Sequence, residues 1–441
     1  MASRSFDRIA VISADCHAGP RRTSDYAPYV DPDFRSRFEE WVEQEENATH
    51  NMFGSPIPES TGDRNADFRA QQLLSLSSLG LPDEVVERQI ATIYQKESNI
   101  AGAWDSKLRL EALESDGIAG EVIHPDGVFG ARAPFLSFGV AADPELEGAG
   151  KRIYNRWLAD LCAEAPDRRA GIIQISLHDV DEALREIKRS RNEGLSGGVA
   201  FSGLRAGSGL PGYHDARYDP IWSCCEELDL TVTHHGGTPI ADVGLYGGDP
   251  HVFAALSSVE TGFISRRPFY FFVFGGVFDR HPKLRLVLTE SFASWVPQML
   301  QELDSLVDQF WMTGVRHRLT MLPSEYWKKH CYAGASFLSR HEAEQRHEIG
   351  LDNLLWGADY PHVEGTYPYS RESFRTSLAG LPEADIRKIL GENAARVYGF
   401  DLAALESAAK AFGPTFQEIS APLPFEERPS DSDYIGAAFR R

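Results

Sequence analysis

Two side chains that could bind a metal ion lie two residues apart near the start of the chain. The stretch ISADCHAG, residues 12–19, places Asp15 and His17 directly after the apolar run RIAVISA. Side chains alternate along a β-strand, so Asp15 and His17 would project from one face and Cys16 from the other. A carboxylate and an imidazole on one face could chelate a divalent cation. The alternative interpretation is a polar strand end at which Asp15 begins a turn.

Several later apolar runs of strand length also end in histidine or acidic residues. They are His124, Asp126, His234, His235, Glu290, Asp359 and His362. If those runs are parallel strands of one barrel, their carboxyl ends meet at one mouth, where the active sites of barrel enzymes lie. Imidazoles and carboxylates gathered there could bind zinc or manganese, since mixed nitrogen and oxygen ligands suit either ion. His124 could instead be a hydrogen-bonded wall residue.

Eight short apolar runs, rich in β-branched residues, alternate with segments of helical period along the chain. Eight strands alternating with helices predict parallel pairing, either in a closed (β/α)₈ barrel or in an open doubly wound sheet, and the count favours the barrel. The runs are residues 8–15, 119–126, 170–177, 196–202, 230–237, 284–291, 331–337 and 353–361.

The length of 441 residues exceeds what a barrel needs, which is about 250 residues. We therefore predict a barrel domain over residues 1–400, a partly helical cap insertion at 20–110 after the first strand, and a C-terminal arm at 401–441. The cap leaves the barrel next to Asp15 and His17, so we expect it to return over the mouth as a partly apolar lid. Trp104 is its predicted substrate contact.

Composition argues against several classes of partner. The formal net charge of −21 repels phosphate backbones and anionic lipid surfaces, so neither nucleic acid nor membrane is expected. The longest apolar stretch, residues 268–278, is shorter than the roughly 20 residues that span a bilayer. Five cysteines without CxxC spacing and a start that lacks a signal-peptide pattern indicate the cytoplasm. We expect a small-molecule substrate and a homodimer or higher homo-oligomer.

Several motifs resemble one known family. SADCHAG, THHGG, LRLVLTESFASWVP, ILGENAARVYGF and above all LLWGADYPHVEGTYPYS are similar to the amidohydrolase-related metal-dependent enzymes. This branch of the amidohydrolase superfamily includes the relatives of aminocarboxymuconate-semialdehyde decarboxylase. The resemblance runs from the first strand to about residue 400. It implies a (β/α)₈ barrel that holds one divalent metal at its mouth for hydrolysis or non-oxidative decarboxylation.

The resemblance also implies roles for individual residues. It implies that the metal ligands are Asp15, His17, His235 and Asp359. In a regular strand the side chain of His234 would point away from that of His235, although the sequence does not decide which of the two histidines is the metal ligand. Many relatives have a histidine general base where this chain has Glu290, which puts decarboxylase-type proton chemistry in doubt. The fourth strand, SGGVAFS, has no lysine to bridge two metals, which implies a mononuclear site.

The function expected from these features is metal-dependent hydrolysis of an amide, ester or activated C–C bond in a small carboxylated or aromatic substrate. A metal-bound water would attack, with zinc expected first and manganese as the alternative. The alternative activity is non-oxidative decarboxylation, and a non-catalytic barrel is the remaining hypothesis. The predicted catalytic residues are Asp359, Glu290 and His235, and the predicted substrate contacts are His124, His234, His362 and Trp104.

Overall fold

The computed structural model describes most of the chain outside the middle of the predicted cap and the C-terminal end. The described residues are 7–48, 84, 87, 101–126, 130–136, 141–201, 203–204, 208–236, 250–362 and 364–429. Within these ranges, none of the helices combines the length and the apolar character needed to cross a bilayer. All five cysteines are buried and free.

In the part of the chain that the structure describes, nine short parallel strands form two hydrogen-bonded groups, β1 to β3 and β4 to β9. In each group the strands pair in chain order, as crossover connections require. The strands are β1 Val11–Ala18, β2 Ile118–Pro125, β3 Arg169–Gly171, β4 Ile173–Ile175, β5 Val199–Phe201, β6 Val232–His235, β7 Leu286–Thr289, β8 Cys331–Ser336 and β9 Leu354–Gly357.

Main-chain hydrogen bonds join the two groups into one closed barrel. Between β3 and β4, the Ile172 N–H donates to the Ile123 carbonyl at 3.0 Å, so the two segments act as one strand. The Asp359 N–H donates to the Asp15 carbonyl and the His17 N–H to the Tyr360 carbonyl, both at 2.7 Å, which connects β1 to the chain after β9. The prediction of a (β/α)₈ barrel is confirmed.

Helices follow the strands and pack around the barrel. Its α-helices among the described residues are Arg35–Glu46, Ser106–Ser115, Pro144–Ala163, Val180–Asn192, Asp219–Glu227, Pro250–Ile264, Arg267–Phe274, Val277–Arg280, Val296–Val307, Thr313–Arg316, Pro323–His330, Arg340–Glu344, Arg346–Ile349, Ser370–Ser377, Glu383–Arg387, Asn393–Tyr398, Leu402–Ala409 and Phe416–Ser420.

A β-bulge in β1 turns Asp15 and His17 toward the barrel interior. Ile12 and Ala14 pack in the inner cluster with residues from the other strands, whereas Cys16 packs in the outer core. The register with β2 shifts between Ser13 and Cys16, which changes the face that the following residues present. The Ser13 hydroxyl stabilises this bulge, because it donates to the Asp15 carbonyl at 2.7 Å and accepts the Ala358 N–H at 2.8 Å.

The first predicted strand boundary needs correction. The sequence placed the strand over residues 8–15, but β1 continues to Ala18, so Asp15 and His17 lie within the strand. The strand is longer because β1 has main-chain partners on both sides up to this point. His17 is in register with His124 of β2, and the His17 N–H donates to the Tyr360 carbonyl.

The described part of the insertion packs on the mouth side of the barrel. Trp41 of helix Arg35–Glu46 contacts Phe135, which follows β2, with ring centroids 5.7 Å apart. Most of the predicted cap, residues 49–83, 85–86 and 88–100, lies outside the described residues, so the lid stays a prediction. Part of the predicted arm is packed: Leu405 is buried against the inner cluster.

Candidate metal centre

Seven of the predicted side chains come together where the strands end. The ring centroid of His17 lies 4.9 Å from that of His235, 5.9 Å from that of His124 and 4.1 Å from that of His362. Three carboxylates lie among these rings. The complete cluster consists of Asp15, His17, His124, His235, Glu290, Asp359 and His362.

Asp15 lies at the centre of the predicted ligand set. Its Oδ1 is 3.2 Å from Nε2 of His235 and 3.4 Å from Nε2 of His17. The Ser336 hydroxyl, at the end of β8, donates to the other oxygen, Oδ2. Asp15 therefore has one oxygen fixed by a hydroxyl and the other directed at two imidazole nitrogens.

Hydrogen bonds at Nδ1 leave Nε2 of two histidines available as a ligand atom. Nδ1 of His17 lies 2.8 Å from the Pro125 carbonyl oxygen, and Nδ1 of His235 lies 2.7 Å from that of Gly236. A carbonyl only accepts, so each Nδ1 carries the proton. Metal-binding histidines are oriented in this way, by donation from the other ring nitrogen to a carbonyl or carboxylate.

Asp359 completes this group from a strained backbone position. Its φ is 57°, in the left-handed region that non-glycine residues seldom adopt. Its Oδ1 lies 3.0 Å from Nε2 of His17 and 2.9 Å from Nδ1 of His362. Both oxygens of Asp359 and Nε2 of His17 are buried without a well-formed hydrogen bond among the described residues. Such atoms are costly to bury unless something else satisfies them.

The electrostatics of the cluster favour a positive charge between the carboxylates of Asp15 and Asp359, where Nε2 of His17 lies. Burial raises the pKa of Asp15, but His235 and His17 outweigh burial and hold the pKa well below its ordinary value. Burial and His362 lower the pKa of His17, yet Asp15 and Asp359 raise it to about 10. Ligand atoms of Asp15, His17 and His235 lie within 4.8 Å of one another, and an oxygen of Asp359 lies 3.0 Å from Nε2 of His17. These nitrogen and oxygen donors suit a divalent cation, which would take the place of that proton.

Glu290 borders the cluster on its open side. It follows β7 with a φ of 49°, and its Oε2 lies 3.4 Å from Nδ1 of His235. Burial raises the pKa of Glu290 to about 8, and the nearby carboxylates of Asp359 and Asp15 act in the same direction. The carboxyl group is placed to hold or release a proton beside the predicted metal ligands.

The remaining predicted residues have different surroundings. Burial and His235 lower the pKa of His124 well below its ordinary value, so its ring is neutral. His362 stacks on His17 and also approaches Asp126, at 3.5 Å. His234 points away from the cluster: its ring lies 5.8 Å from that of Phe201 in the outer core.

The role predicted for Trp104 has no direct support in these contacts. Its indole ring faces Arg21, whose Cζ lies 6.0 Å from the ring centroid. The neighbouring Ala103 carbonyl accepts the Gly19 N–H at 3.1 Å, just after β1. Trp104 therefore lies on the mouth side of the barrel, and its contact with substrate stays a prediction.

Sequence reasoning gave no role to two residues at the site, Ser336 and Glu364. A ligand-bearing oxygen of Glu364 lies within 4.8 Å of those of Glu290 and Asp359. Ser336 could have been found because it ends a strand of the same barrel, as the other site residues do. Glu364 follows His362 by two residues, but an acidic loop residue carries no comparable signal.

Comparison with known families places most of the barrel in one of them. The family model described as Amidohydrolase matches residues 121–400. This region contains most of β2, all of β3 to β9, and every member of the cluster except Asp15 and His17.

Individual proteins are similar to this chain as well. A gamma-resorcylate decarboxylase of Rhodococcus jostii is 29% identical over 278 residues, which cover 59% of this chain and 80% of that protein. A solved amidohydrolase of Mycobacterium avium subsp. paratuberculosis has a TM-score of 0.61 at 20% identity, covering 90% of this chain and all of that chain.

A solved dihydroxybenzoic acid decarboxylase of Polaromonas sp., with bound manganese and the inhibitor 2-nitroresorcinol, has a TM-score of 0.56 at 22% identity. The match covers 75% of this chain and 93% of that chain. At these identities the two solved structures support the fold. The expectation of zinc gains no support from them, since the ion in the decarboxylase is manganese.

Proposed function

The chain belongs to the amidohydrolase family, and from this premise we propose that it is a metal-dependent, non-oxidative decarboxylase of small hydroxylated benzoic acids. One observation carries the proposal. The chain is 29% identical over 278 residues to a gamma-resorcylate decarboxylase, and its barrel mouth carries acidic and histidine side chains whose ligand atoms lie close enough together to hold a metal ion. The proposal replaces hydrolysis, the activity expected first from the sequence, with its alternative.

Asp15, His17, His235 and Asp359 are the proposed metal ligands. Ligand atoms of Asp15, His17 and His235 lie within 4.8 Å of one another, and Oδ1 of Asp359 lies 3.0 Å from Nε2 of His17. The histidine Nδ1–H groups are already bonded to carbonyls. Manganese is the proposed ion, because the Polaromonas decarboxylase contains it and oxygen-rich sites suit it. When bound, the ion supplies a Lewis acid that polarises the substrate carboxylate and a neighbouring hydroxyl oxygen.

Glu290 is the proposed proton donor. Its carboxyl group would give a proton to the ring carbon that carries the carboxylate. The C–C bond then breaks, its electron pair returns to the ring, and CO₂ leaves. The Glu290 carboxylate regains a proton from solvent, so the net reaction consumes one proton for each CO₂ released. Glu290 can fill this role where many relatives have a histidine, because its side chain borders the mouth and is 23% exposed.

The other residues of the cluster are proposed to orient the substrate. His362 and His124 lie on either side of the predicted ligands and offer imidazole nitrogens toward a phenolic hydroxyl. His234 is not included, because it faces the outer core. Trp104 is kept as a proposed wall of the substrate pocket on the mouth side.

Hydrolysis is the second candidate, and Glu290 also favours it. A carboxylate beside a metal centre could accept a proton from an attacking water as readily as it could supply one to carbon. The same four ligands would serve both reactions, so the geometry of the ligands does not separate them.

A substrate panel separates the two candidates. Manganese-loaded protein is incubated without oxygen or organic cofactor with 2-hydroxy- and 2,6-dihydroxybenzoates, and in parallel with their methyl esters and amides. We expect CO₂ and the corresponding phenol from the free acids. Methanol or ammonia from the esters or amides, with the free acids unchanged, would instead establish the hydrolase.

A further inference from the structure

A buried arginine lies directly behind the metal centre. Arg109, in helix Ser106–Ser115, has no solvent exposure. Its Nη1 donates to the carbonyl oxygens of His17 and Gly102, both at 2.8 Å. Nε and Nη2 donate to both oxygens of Glu121, on β2, at 2.6 to 2.9 Å. One guanidinium therefore connects β1, β2 and the end of the long insertion.

Arg109 completes a set of contacts that surround His17. The His17 N–H donates to Tyr360, its Nδ1 donates to Pro125, and its carbonyl accepts from Arg109. Cζ of Arg109 also lies 5.2 Å from the ring centroid of Tyr360, the residue after Asp359. The guanidinium thus contacts β1, which carries Asp15 and His17, and the segment after β9, which carries Asp359.

A second arginine bonds the same carboxylate without reaching β1. Nε of Arg169 donates to Oε1 of Glu121 at 3.2 Å. Its other hydrogen bonds among the described residues go to Ser106 and to the Leu161 carbonyl. Arg169 is equally buried and equally charged, so it offers a control for any effect of disturbing Glu121.

We propose that Arg109 is a positioning residue of the metal centre, which fixes the backbone of His17 and thereby the direction of its Nε2. The proposal rests on the proposed function in one respect, that His17 binds the metal. Lysine in its place would keep the charge, but one ammonium group cannot reach two carbonyls and a bidentate carboxylate at once. The main chain of His17 would lose its hydrogen bond, whereas Glu121 would still be paired with Arg169.

The test compares Arg109→Lys with Arg169→Lys. Mn²⁺ binding to the full chain is titrated, with free Mn²⁺ read by its electron paramagnetic resonance signal. We expect Arg109→Lys to raise the Kd for Mn²⁺ about 10- to 100-fold, the usual effect of losing an outer partner of a ligand. Arg169→Lys should stay within about threefold of the wild type. Equal Kd changes in the two variants would overturn the proposal.

A second measurement needs no metal. Hydrogen exchange of residues 11–18 is followed by mass spectrometry in metal-free protein, and it should be faster in Arg109→Lys than in Arg169→Lys. Unchanged exchange in this peptide would contradict the positioning role. If the wild type binds no Mn²⁺, the proposed function is refuted. The difference in hydrogen exchange between the two variants would still test whether Arg109 positions the His17 backbone. If Arg109→Lys does not fold, Arg109→Gln is compared with Arg169→Gln by the same criteria.

Discussion

The two halves of the candidate metal centre are built differently. Asp15, His17 and Asp359, from β1 and the end of β9, have side chains that are 0 to 5% exposed, and main-chain hydrogen bonds join their backbones. His235 and Glu290, from the ends of β6 and β7, have side chains that are each 23% exposed. The first half is buried in the barrel wall, whereas the second half, His235 and Glu290, borders the open mouth.

This difference separates two tasks. A metal ion needs ligand atoms held in fixed positions, which the buried half supplies through the bulge at Ser13, the Ser336 hydroxyl and the Arg109 guanidinium. A substrate must reach the ion, and a proton must be exchanged with solvent, which requires groups that water can reach. Glu290 meets that requirement, whereas Asp359 does not.

The largest effect is expected from the buried half. His17→Ala removes an imidazole nitrogen and leaves two buried carboxylates facing each other, so bound metal and activity should be lost together. Elemental analysis of the purified variant after dialysis measures the loss. Cys16→Ala is the matched control, because Cys16 is the adjacent buried residue and faces the outer core. A His17→Ala protein that keeps full metal occupancy would show that the centre is assigned wrongly.

Within the open half, the paired histidines of β6 give the next largest effect. His235→Ala should weaken Mn²⁺ binding by more than the roughly 100-fold upper range for outer partners, because a ligand itself is removed. His234→Ala, one residue earlier, should leave the Kd for Mn²⁺ within about threefold, because its ring packs near Phe201. Isothermal titration of both variants decides between them. The reverse order of effects would make His234 the ligand.

Glu290→Gln tests the division of tasks directly. The amide preserves the shape of the side chain but cannot transfer a proton, so kcat should fall by a factor on the order of 10² or more. Because Glu290 is not a proposed ligand, the Kd for Mn²⁺ should change little. Steady-state kinetics and a metal titration on the same preparation provide both values. Unchanged turnover would leave Glu290 with a structural role only.

The smallest effect concerns stability and leaves the reaction untouched. Asp116 is buried and accepts hydrogen bonds from Ser370, in the chain that follows β9. Burial raises the pKa of Asp116 to about 7, although the hydrogen bonds from Ser370 act to lower it. The folded state therefore binds this proton more tightly than the unfolded chain does, where the pKa is about 3.9. Stability from this source is fully present below about pH 4 and is lost as the pH rises toward 7.

Asp116→Asn should remove that pH dependence. The free energy of unfolding of the wild type, from urea titrations, should fall between pH 5 and 7 more steeply than that of the variant. The difference in slope should approach about 1.4 kcal/mol per pH unit. Identical slopes would mean that Asp116 is ionised in the folded protein.

Much of the fold and the site could be predicted because strand ends carry a clear signal. The eight apolar runs correspond to the strands, and the ionisable residues that close them meet at one mouth. The resemblance in ADYPH pointed to Asp359 before any geometry. In the case of His234 and His235, alternation along a regular strand favoured His235, but the contact between His234 and Phe201 was needed to show that the His234 ring faces the outer core.

Other features depend on contacts between distant segments and leave no local pattern. The bulge at Ser13 needs the Ala358 N–H, which lies 345 residues away. Arg109 reads as an ordinary charged residue of an amphipathic helix until its partners His17 and Glu121 are known. The preference between hydrolysis and decarboxylation came from relatives, because the residues alone are compatible with both.

The release of ¹³CO₂ from carboxyl-labelled 2,6-dihydroxybenzoate tests the central claim most directly. Manganese-loaded wild type, without oxygen or added cofactor, should produce ¹³CO₂ and resorcinol in equal amounts, and removal of the metal with a chelator should stop both. His17→Ala should release none, and Glu290→Gln should release it on the order of 10² times more slowly. Labelled acid recovered unchanged from fully metal-loaded wild type, while its methyl ester is hydrolysed, would contradict the account.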